Sequence, residues 1–101
     1  MLTNKQRNFL RAIGNKIEPI LIIGKNGITA NVINQLDEAL SARELVKGRV
    51  LPNPDLEVKV VAAELAAKTG AEIVQTIGRN ILFYRAPRDG SPSKIDWERM
   101  C

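Results

Sequence analysis

The chain has 101 residues, which is enough for one domain with a modest hydrophobic core. Aromatic residues make up only 4% of it, so aliphatic side chains must form most of that core. The sequence contains no histidine and a single cysteine, Cys101, which argues against a disulfide scaffold, a zinc site and Cys/His catalysis. The formal net charge of +4 favours a polyanionic partner, either a nucleic acid or an anionic membrane surface.

The positive charge is concentrated at the start of the chain. Residues 1–17 carry four basic residues and no acid, whereas residues 18–84 are nearly neutral. No apolar run approaches the roughly 18 residues of a membrane span, and charged and amide side chains interrupt the region where a signal peptide needs an apolar core. We therefore expect a cytoplasmic protein without a membrane partner.

Hydrophobic periodicity predicts seven elements in the order α-β-α-β-α-β-β. In chain order they are a helix at 3–15, a strand at 19–23, a helix at 29–42, a strand at 44–51, a helix at 55–69, and strands at 71–77 and 81–85. Thr3 and Gln6 have the spacing of a capping box at the start of the first helix. Arg7 and Arg11 are predicted to lie on the side of that helix away from its apolar residues.

The order of the elements predicts the fold class. The continuous apolar run at 19–23 is typical of a strand that either is covered on both faces or borders a parallel neighbour. Two strand–helix–strand crossovers predict parallel pairing, and a tight hairpin at 78–80 adds an antiparallel strand. Residues 1–85 should therefore form a two-layer α/β domain with a mixed four-stranded sheet. Residues 86–101 are polar and are predicted to form a flexible tail, in which Trp97 either docks or stays exposed.

The stretch Gly24-Lys25-Asn26-Gly27 separates the first predicted strand from a helix that Thr29 is predicted to cap. Glycines allow a positive φ and the close approach of another backbone. A helix N-terminus presents unpaired amides and partial positive charge, to which Lys25 adds attraction for a phosphate. KH domains clamp single-stranded RNA with a GXXG loop of this kind. The alternative is an ordinary strand–helix turn whose side chains are solvated.

Residues on the predicted strands give weaker signals. Lys47 and Arg49 share one face of their strand, where they either offer charge to a ligand or shield an exposed surface. Phe83 and Tyr84 have rings that can stack on bases, but at least one of the two must belong to the core.

Five stretches follow one another in the order found in a known family. They are LTNKQRNFLRA at the start, PILIIGKNGIT around the glycine turn, ALSARELVK, KTGAE, and TIGRNILFYR at the end. In this pattern the sequence resembles the CRM domain, the RNA-binding module of chloroplast splicing factors and of stand-alone bacterial YhbY-like proteins. The resemblance covers about residues 2–85.

The resemblance implies both a fold and a function. The fold is that of the C-terminal domain of translation initiation factor three, with sheet order 1-2-4-3, an antiparallel fourth strand and an additional N-terminal helix. The function is non-catalytic binding of RNA, with ribosomal RNA and assembly of the large ribosomal subunit as the implied setting. The predicted RNA-binding residues are Gly24, Lys25, Asn26, Gly27, Thr29, Lys5, Arg7, Arg11, Lys47, Arg79 and Arg85. For the basic residues outside the glycine turn, the alternative to RNA binding is a solvated or a packing role.

Other functions find less support in the sequence. Asp37 and Glu38 are adjacent on a predicted helix, so their carboxylates diverge, and Lys25 does not have the spacing of a Walker A lysine. A small protein-interaction module with incidental basic charge is one alternative function. A mononucleotide-binding domain that uses the glycine turn is another. We expect a monomer with no cofactor and no metal.

Overall fold

In a computed structural model, which describes residues 2–88 and 90–100, the seven predicted elements follow one another in the predicted order, and a short helix that was not predicted follows them. The elements are α1 Asn4–Gly14, β1 Leu21–Ile23, α2 Ala30–Arg43, β2 Leu45–Val50, α3 Val58–Thr69, β3 Glu72–Ile77, β4 Asn80–Tyr84 and a short 3-10 helix η1 at Trp97–Arg99. Cys101, the last residue of the predicted tail, lies outside the described residues.

The four strands form one mixed sheet in the order β1-β2-β4-β3. β1 runs parallel to β2, with Leu21 opposite Gly48. β4 runs antiparallel to both of its neighbours, with Ile81 opposite Gly48 on one side and Asn80 opposite Ile77 on the other. The strand order 1-2-4-3 and the antiparallel fourth strand are thereby confirmed. β1, β2 and β3 all end at one side of the sheet, which we call the carboxyl edge.

Local capping sets the helix ends much as the sequence predicts. Thr3 Oγ1 accepts from the Gln6 amide at 3.1 Å, and the Gln6 side chain accepts from the Thr3 amide at 2.9 Å, which completes the capping box. Gly70 ends α3 in the left-handed region with φ +72°, as expected of a C-terminal glycine.

The start of α3 differs from the prediction. The helix begins at Val58 rather than near residue 55, because the preceding segment forms a turn of its own. Asn53 Oδ1 accepts from the Asp55 amide at 2.9 Å, a side-chain turn that competes with helix formation.

The main core lies between the sheet and the pair α2 and α3. Its fully buried members include Leu21, Ile23, Leu36, Leu40, Val46, Val50, Leu65, Ile81 and Phe83. Each such side chain contributes about 1.5–3 kcal/mol through removal from water, so this layer supplies most of the driving force for folding. Phe83 is therefore the member of the Phe83–Tyr84 pair that belongs to the core.

α1 covers part of the opposite face, as the additional helix that the family resemblance implies. Leu10 packs there against Leu45, Val74 and Leu82. A Cβ atom on Gly14 would lie 2.5 Å from Leu82 Cδ2, so glycine lets the end of α1 approach the sheet closely.

β1 lies at the edge of the sheet and is not covered on both faces. Ile20 and Ile22 are 46% and 48% exposed, because α1 packs on β2 and β3 and stops short of β1. Of the two readings of its apolar run, the parallel neighbour is confirmed and coverage on both faces is wrong.

Residues after Arg85 return to the body of the domain. Trp97 lies with its ring centroid 5.9 Å from those of Phe9 and Tyr84, so it docks rather than pointing into solvent. Ser93 Oγ donates to Glu44 Oε2 at 2.7 Å, and the Lys94 amide donates to the same carboxylate. The predicted flexibility of this tail stays a prediction.

Within the described part of the chain, the helices are too short and too polar to cross a membrane.

Candidate nucleic-acid interface

The glycine turn after β1 is a tight four-residue turn. The Gly27 amide donates to Gly24 O at 3.0 Å, and Gly27 has φ +66°, a conformation that favours glycine. A Cβ on Gly27 would lie 3.1 Å from Leu56 Cδ2, whereas a Cβ on Gly24 would meet nothing within 4 Å. Lys25 and Asn26 are exposed at the tip. Gly27 is thus required by the fold, and Gly24 leaves open space above the backbone.

A neighbouring loop braces the turn from behind. Asn53 Nδ2 donates to Lys25 O at 3.1 Å, and Asn53 O accepts from the Leu56 amide at 3.1 Å. These bonds link the turn to the segment that joins β2 to α3. The backbone of Lys25 is therefore held in place while its side chain projects outward.

The turn leads directly into the N-terminus of α2. Thr29 caps that helix, with Oγ1 accepting from the Val32 amide at 3.2 Å. The first turn of α2 contains no acidic residue, so its positive helix end is not neutralised locally. An anion near Gly24 would meet both this helix end and Lys25.

Two further basic residues lie at the carboxyl edge, on other parts of the sheet. The Val50 amide donates to Arg79 O at 2.8 Å, and the Leu51 amide donates to Ile23 O at 2.9 Å, so the β3–β4 hairpin, β2 and β1 end side by side. The side chains of Arg79 and Arg49 are exposed there. The structure therefore places Lys25, Asn26, Arg79 and Arg49 at the same edge of the sheet, and the predicted contacts of the first three with RNA stay a prediction.

The basic residues of α1 that were predicted to bind RNA do not lie at this edge. Lys5 and Arg11 are exposed on α1, and Arg11 donates to Asn8 Oδ1 at 3.2 Å. Arg7 donates to Ile73 O at 2.7 Å and to Val74 O at 3.2 Å. The predicted position of Arg7 on the free side of α1 is therefore wrong, because its guanidinium fastens the helix to β3 where that strand bulges.

Lys47 also makes internal contacts, although its side chain is only partly buried. Its Nζ donates to Gly14 O at 3.1 Å and to Ile17 O at 3.4 Å, at the end of α1. The lysine thus adds a donor to the carbonyl of the last residue of α1 and to a carbonyl in the segment that follows the helix.

Arg85 is a core residue and lies away from the carboxyl edge. Its side chain is 6% exposed and bonds Asp37 Oδ1 at 2.6 Å, Thr69 O at 2.8 Å and Ser41 Oγ at 2.8 Å. The expectation that it touches RNA is corrected, because all of these bonds join the residue that follows β4 to α2 and α3. Its place at the end of the strand pattern gave no signal of this burial.

Two titratable groups have pKa values displaced by their surroundings. The hydrogen bond from Arg85 lowers the pKa of Asp37 below its ordinary value, partial burial opposes that shift, and the charges of Arg85 and Arg88 add to it. Burial, with the charges of Glu44 and Glu72, raises the pKa of the Tyr84 phenol. Neither group lies at the glycine turn.

No cluster of three or more histidine, cysteine, aspartate or glutamate side chains that suits a metal ion occurs among residues 2–88 and 90–100. The carboxyl edge instead offers backbone amides, a helix end and long basic side chains. Groups of these kinds are suited to contacts with phosphate oxygens.

Two contributors at this edge were missed as site residues. Arg49 lies on the same face of its strand as Lys47. The alternation of side chains along a strand does not show which end of the strand lies beside the glycine turn. Asn53 lies between Pro52 and Pro54, a pattern that signals a turn. Its bond to Lys25 O joins residues far apart in the sequence and needs the fold to be seen.

Comparison with known proteins gives consistent matches over the whole domain. A profile of the family described as the CRS1 / YhbY (CRM) domain matches residues 2–85. The chain is 42% identical over 95 residues to "Probable RNA-binding protein YqeI" of Bacillus subtilis, covering 94% of this chain and 99% of that protein. It is 24% identical over 103 residues to the chloroplastic group IIA intron splicing facilitator CRS1 of Zea mays, covering 98% of this chain but 14% of that protein.

A solved structure has the same fold. The solution structure of the hypothetical protein SAV1595 from Staphylococcus aureus superposes with a TM-score of 0.76 at 43% sequence identity. The match covers 90% of this chain and 95% of that one.

Proposed function

The chain belongs to the CRS1/YhbY (CRM) domain family, and from that premise we propose that it binds RNA without catalysing a reaction. The names of relatives in bacteria support RNA as the partner. The proposed binding surface is the carboxyl edge, with the Gly24–Gly27 turn at its centre.

The observation that carries this proposal is the geometry of the glycine turn. The backbone is open above Gly24, Lys25 and Asn26 are exposed, and an uncompensated helix N-terminus lies behind them. A phosphodiester backbone carries one negative charge per nucleotide and fits a row of amides and basic side chains. Contacts of this kind position a strand without reading its sequence.

We further propose that the physiological RNA is ribosomal, in the assembly of the large subunit, and that the protein acts as a cytoplasmic monomer. The family resemblance supports this setting. Arg49 and Arg79 would extend the phosphate contacts beyond the turn, and Lys5 and Arg11 would add a secondary basic surface. Arg85 has no part in the proposal because its side chain is buried.

The test compares two variants that change the net charge equally. Lys25→Glu alters the turn, and Lys68→Glu alters an exposed lysine in the last turn of α3, away from the carboxyl edge. We would measure affinity for a large-subunit ribosomal RNA fragment by fluorescence anisotropy over a salt series. Lys25→Glu should lower affinity about tenfold or more at low salt and reduce the slope of log K against log salt by about one, since one phosphate contact is lost.

The control decides how the result is interpreted. Lys68→Glu should bind nearly as the unsubstituted protein does, which shows that local contact and not net charge is responsible. Equal binding by all three proteins would refute the turn as the RNA site. A structured RNA of the same length but unrelated sequence, run in parallel, tests the ribosomal preference.

A further inference from the structure

A pocket opens on the face of the sheet that α1 covers, at the point where α1 stops short of the carboxyl edge. Its volume is about 140 Å³, and its walls include Gly14, Asn15, Lys47, Gln75, Asn80 and Leu82. This space corresponds to roughly five water molecules at their volume in the liquid. The pocket therefore has room for one small planar ring system.

Asn80 lines this pocket, and its side chain carries an unpaired polar atom that is closed to solvent. Its Oδ1 is buried, and no donor among the described residues forms a hydrogen bond with it. A buried acceptor without a partner destabilises a fold, and such atoms are uncommon in native proteins. A ligand that donates a hydrogen bond would satisfy this atom once the Asn80 side chain turns toward the pocket.

Lys47 gives the same pocket a positive charge in a defined position. Its Nζ is anchored by Gly14 O and Ile17 O at the end of α1. An ammonium group has three donors, so one remains after these two bonds. The pocket thus combines a fixed cation with amide groups and an apolar floor.

The strand register connects the pocket with the glycine turn. One row of residues crosses the four strands and projects from the same face of the sheet. Its members are Ile22, Arg49, Asn80 and Ile77. Arg49 is exposed between β1, which leads into the turn, and Asn80 in the pocket. Neighbouring strands are about 4.8 Å apart, so β1 and β4 are separated by about 10 Å, which a short extended strand of RNA spans.

We infer that this pocket receives one unpaired nucleobase of the RNA strand whose backbone is bound at the turn. The inference rests on the proposed function, because the same strand must first bind the carboxyl edge. A base has flat apolar faces to pack on Leu82 and Ile77. Its edge groups can donate to Asn80 Oδ1 after the Asn80 side chain turns toward the pocket. Lys47 and Arg49 attract the phosphates on either side of that base. A base within a duplex is stacked and paired and cannot enter, so the pocket selects single strands.

The test uses Asn80→Ala, with Asn34→Ala as a matched control on the exposed surface of α2. Affinity is measured for a short single-stranded RNA and for the duplex that it forms with its complement. Asn80→Ala should lower single-strand affinity about fivefold to tenfold and duplex affinity less than about twofold. Its stability to urea should be unchanged or higher, because the substitution removes an unpaired buried acceptor. Asn34→Ala should change neither affinity.

The outcomes separate this inference from the function on which it rests. If Asn80→Ala leaves single-strand affinity unchanged, or weakens both RNAs equally, the pocket is not a base site, although the phosphate clamp stands. If the unsubstituted protein binds neither RNA, the proposed function fails and the inference fails with it. By NMR, the side-chain amide of Asn80 should shift with the single strand and not with the duplex; unshifted resonances overturn the inference.

Discussion

The two glycines of the turn have different physical roles. Gly27 adopts a positive φ and lies against Leu56, so the fold itself needs a residue without a Cβ at this position. Gly24 has neither constraint. Its lack of a side chain leaves the backbone accessible, which has value only if something approaches it.

Alanine substitutions should separate these roles. Gly27→Ala should reduce the free energy of unfolding by about 1–2 kcal/mol, because a left-handed conformation is unfavourable for alanine. Gly24→Ala should leave stability nearly unchanged yet weaken RNA binding, since the methyl group of the alanine would occupy the space of the bound RNA strand. Urea denaturation and anisotropy measure the two effects. A large loss of stability in Gly24→Ala would contradict this division.

Helices and strands are joined at the side of the sheet away from the turn by a buried guanidinium. Arg85, the residue that follows β4, bonds Asp37 and Ser41 of α2 and Thr69 O at the end of α3. Removing one of these partners destabilises the fold more than replacing the whole group by apolar residues, because the buried charge is then left unpaired. Arg85 therefore acts on the relative position of three elements.

The Asp37–Arg85 pair should make stability depend on pH. The pKa of Asp37 is lower in the folded chain than its ordinary value, so the pair contributes fully above about pH 4 and is lost as the pH falls through the folded pKa. Asp37→Asn should cost about 1 kcal/mol near neutral pH, a small value because the Asp37 side chain is 47% exposed.

Urea denaturation across the acid range would check this expectation. The difference between the unsubstituted protein and Asp37→Asn should shrink as Asp37 becomes protonated. Asp55→Asn, which removes an exposed carboxylate from the loop before α3, is the matched control and should show a smaller difference. A difference for Asp37→Asn that stays constant with pH would refute the role of the ion pair.

At the scale of the whole molecule, the chain returns on itself. Ile95 and Trp97 pack beside α1, where Trp97 meets Phe9 and Tyr84. Ser93 fastens this segment, because its Oγ donates to Glu44 Oε2 at 2.7 Å and accepts from Trp97 Nε1 at 3.1 Å. The described part of the tail thereby covers aromatic rings beside α1.

Ser93→Ala should loosen the tail without unfolding the domain. Trp97 is the only tryptophan, so its fluorescence reports on this segment alone. We expect its emission to shift to longer wavelength as the indole becomes more hydrated, with little change in far-UV circular dichroism. Gln35→Ala, at an exposed position of α2, is the control and should leave the spectrum unchanged. An unshifted spectrum in Ser93→Ala would show that the ring contacts and the bond from the Lys94 amide to Glu44 hold the tail without the Ser93 hydroxyl.

Much of the fold could be predicted because its signals are local. Thr3, Thr29 and Gly70 mark helix ends through bonds within a few residues, and the hairpin at 78–80 needs only its own turn chemistry. The roles of Arg7 and Arg85 could not be predicted in this way. A basic residue near an apolar stripe has the same pattern whether it faces water or reaches a carbonyl on another element.

The sequence by itself therefore determined the elements, their order, the family and the glycine turn, since periodicity, capping and motif spacing are properties of neighbouring residues. Only the tertiary structure decided which basic side chains remain accessible. It buried Arg85 among α2, α3 and β4, tied Arg7 to the bulge of β3, and left Lys25, Arg49 and Arg79 exposed at one edge. The reason is that hydrogen bonds between distant residues depend on how the layers pack, and no local pattern records that packing.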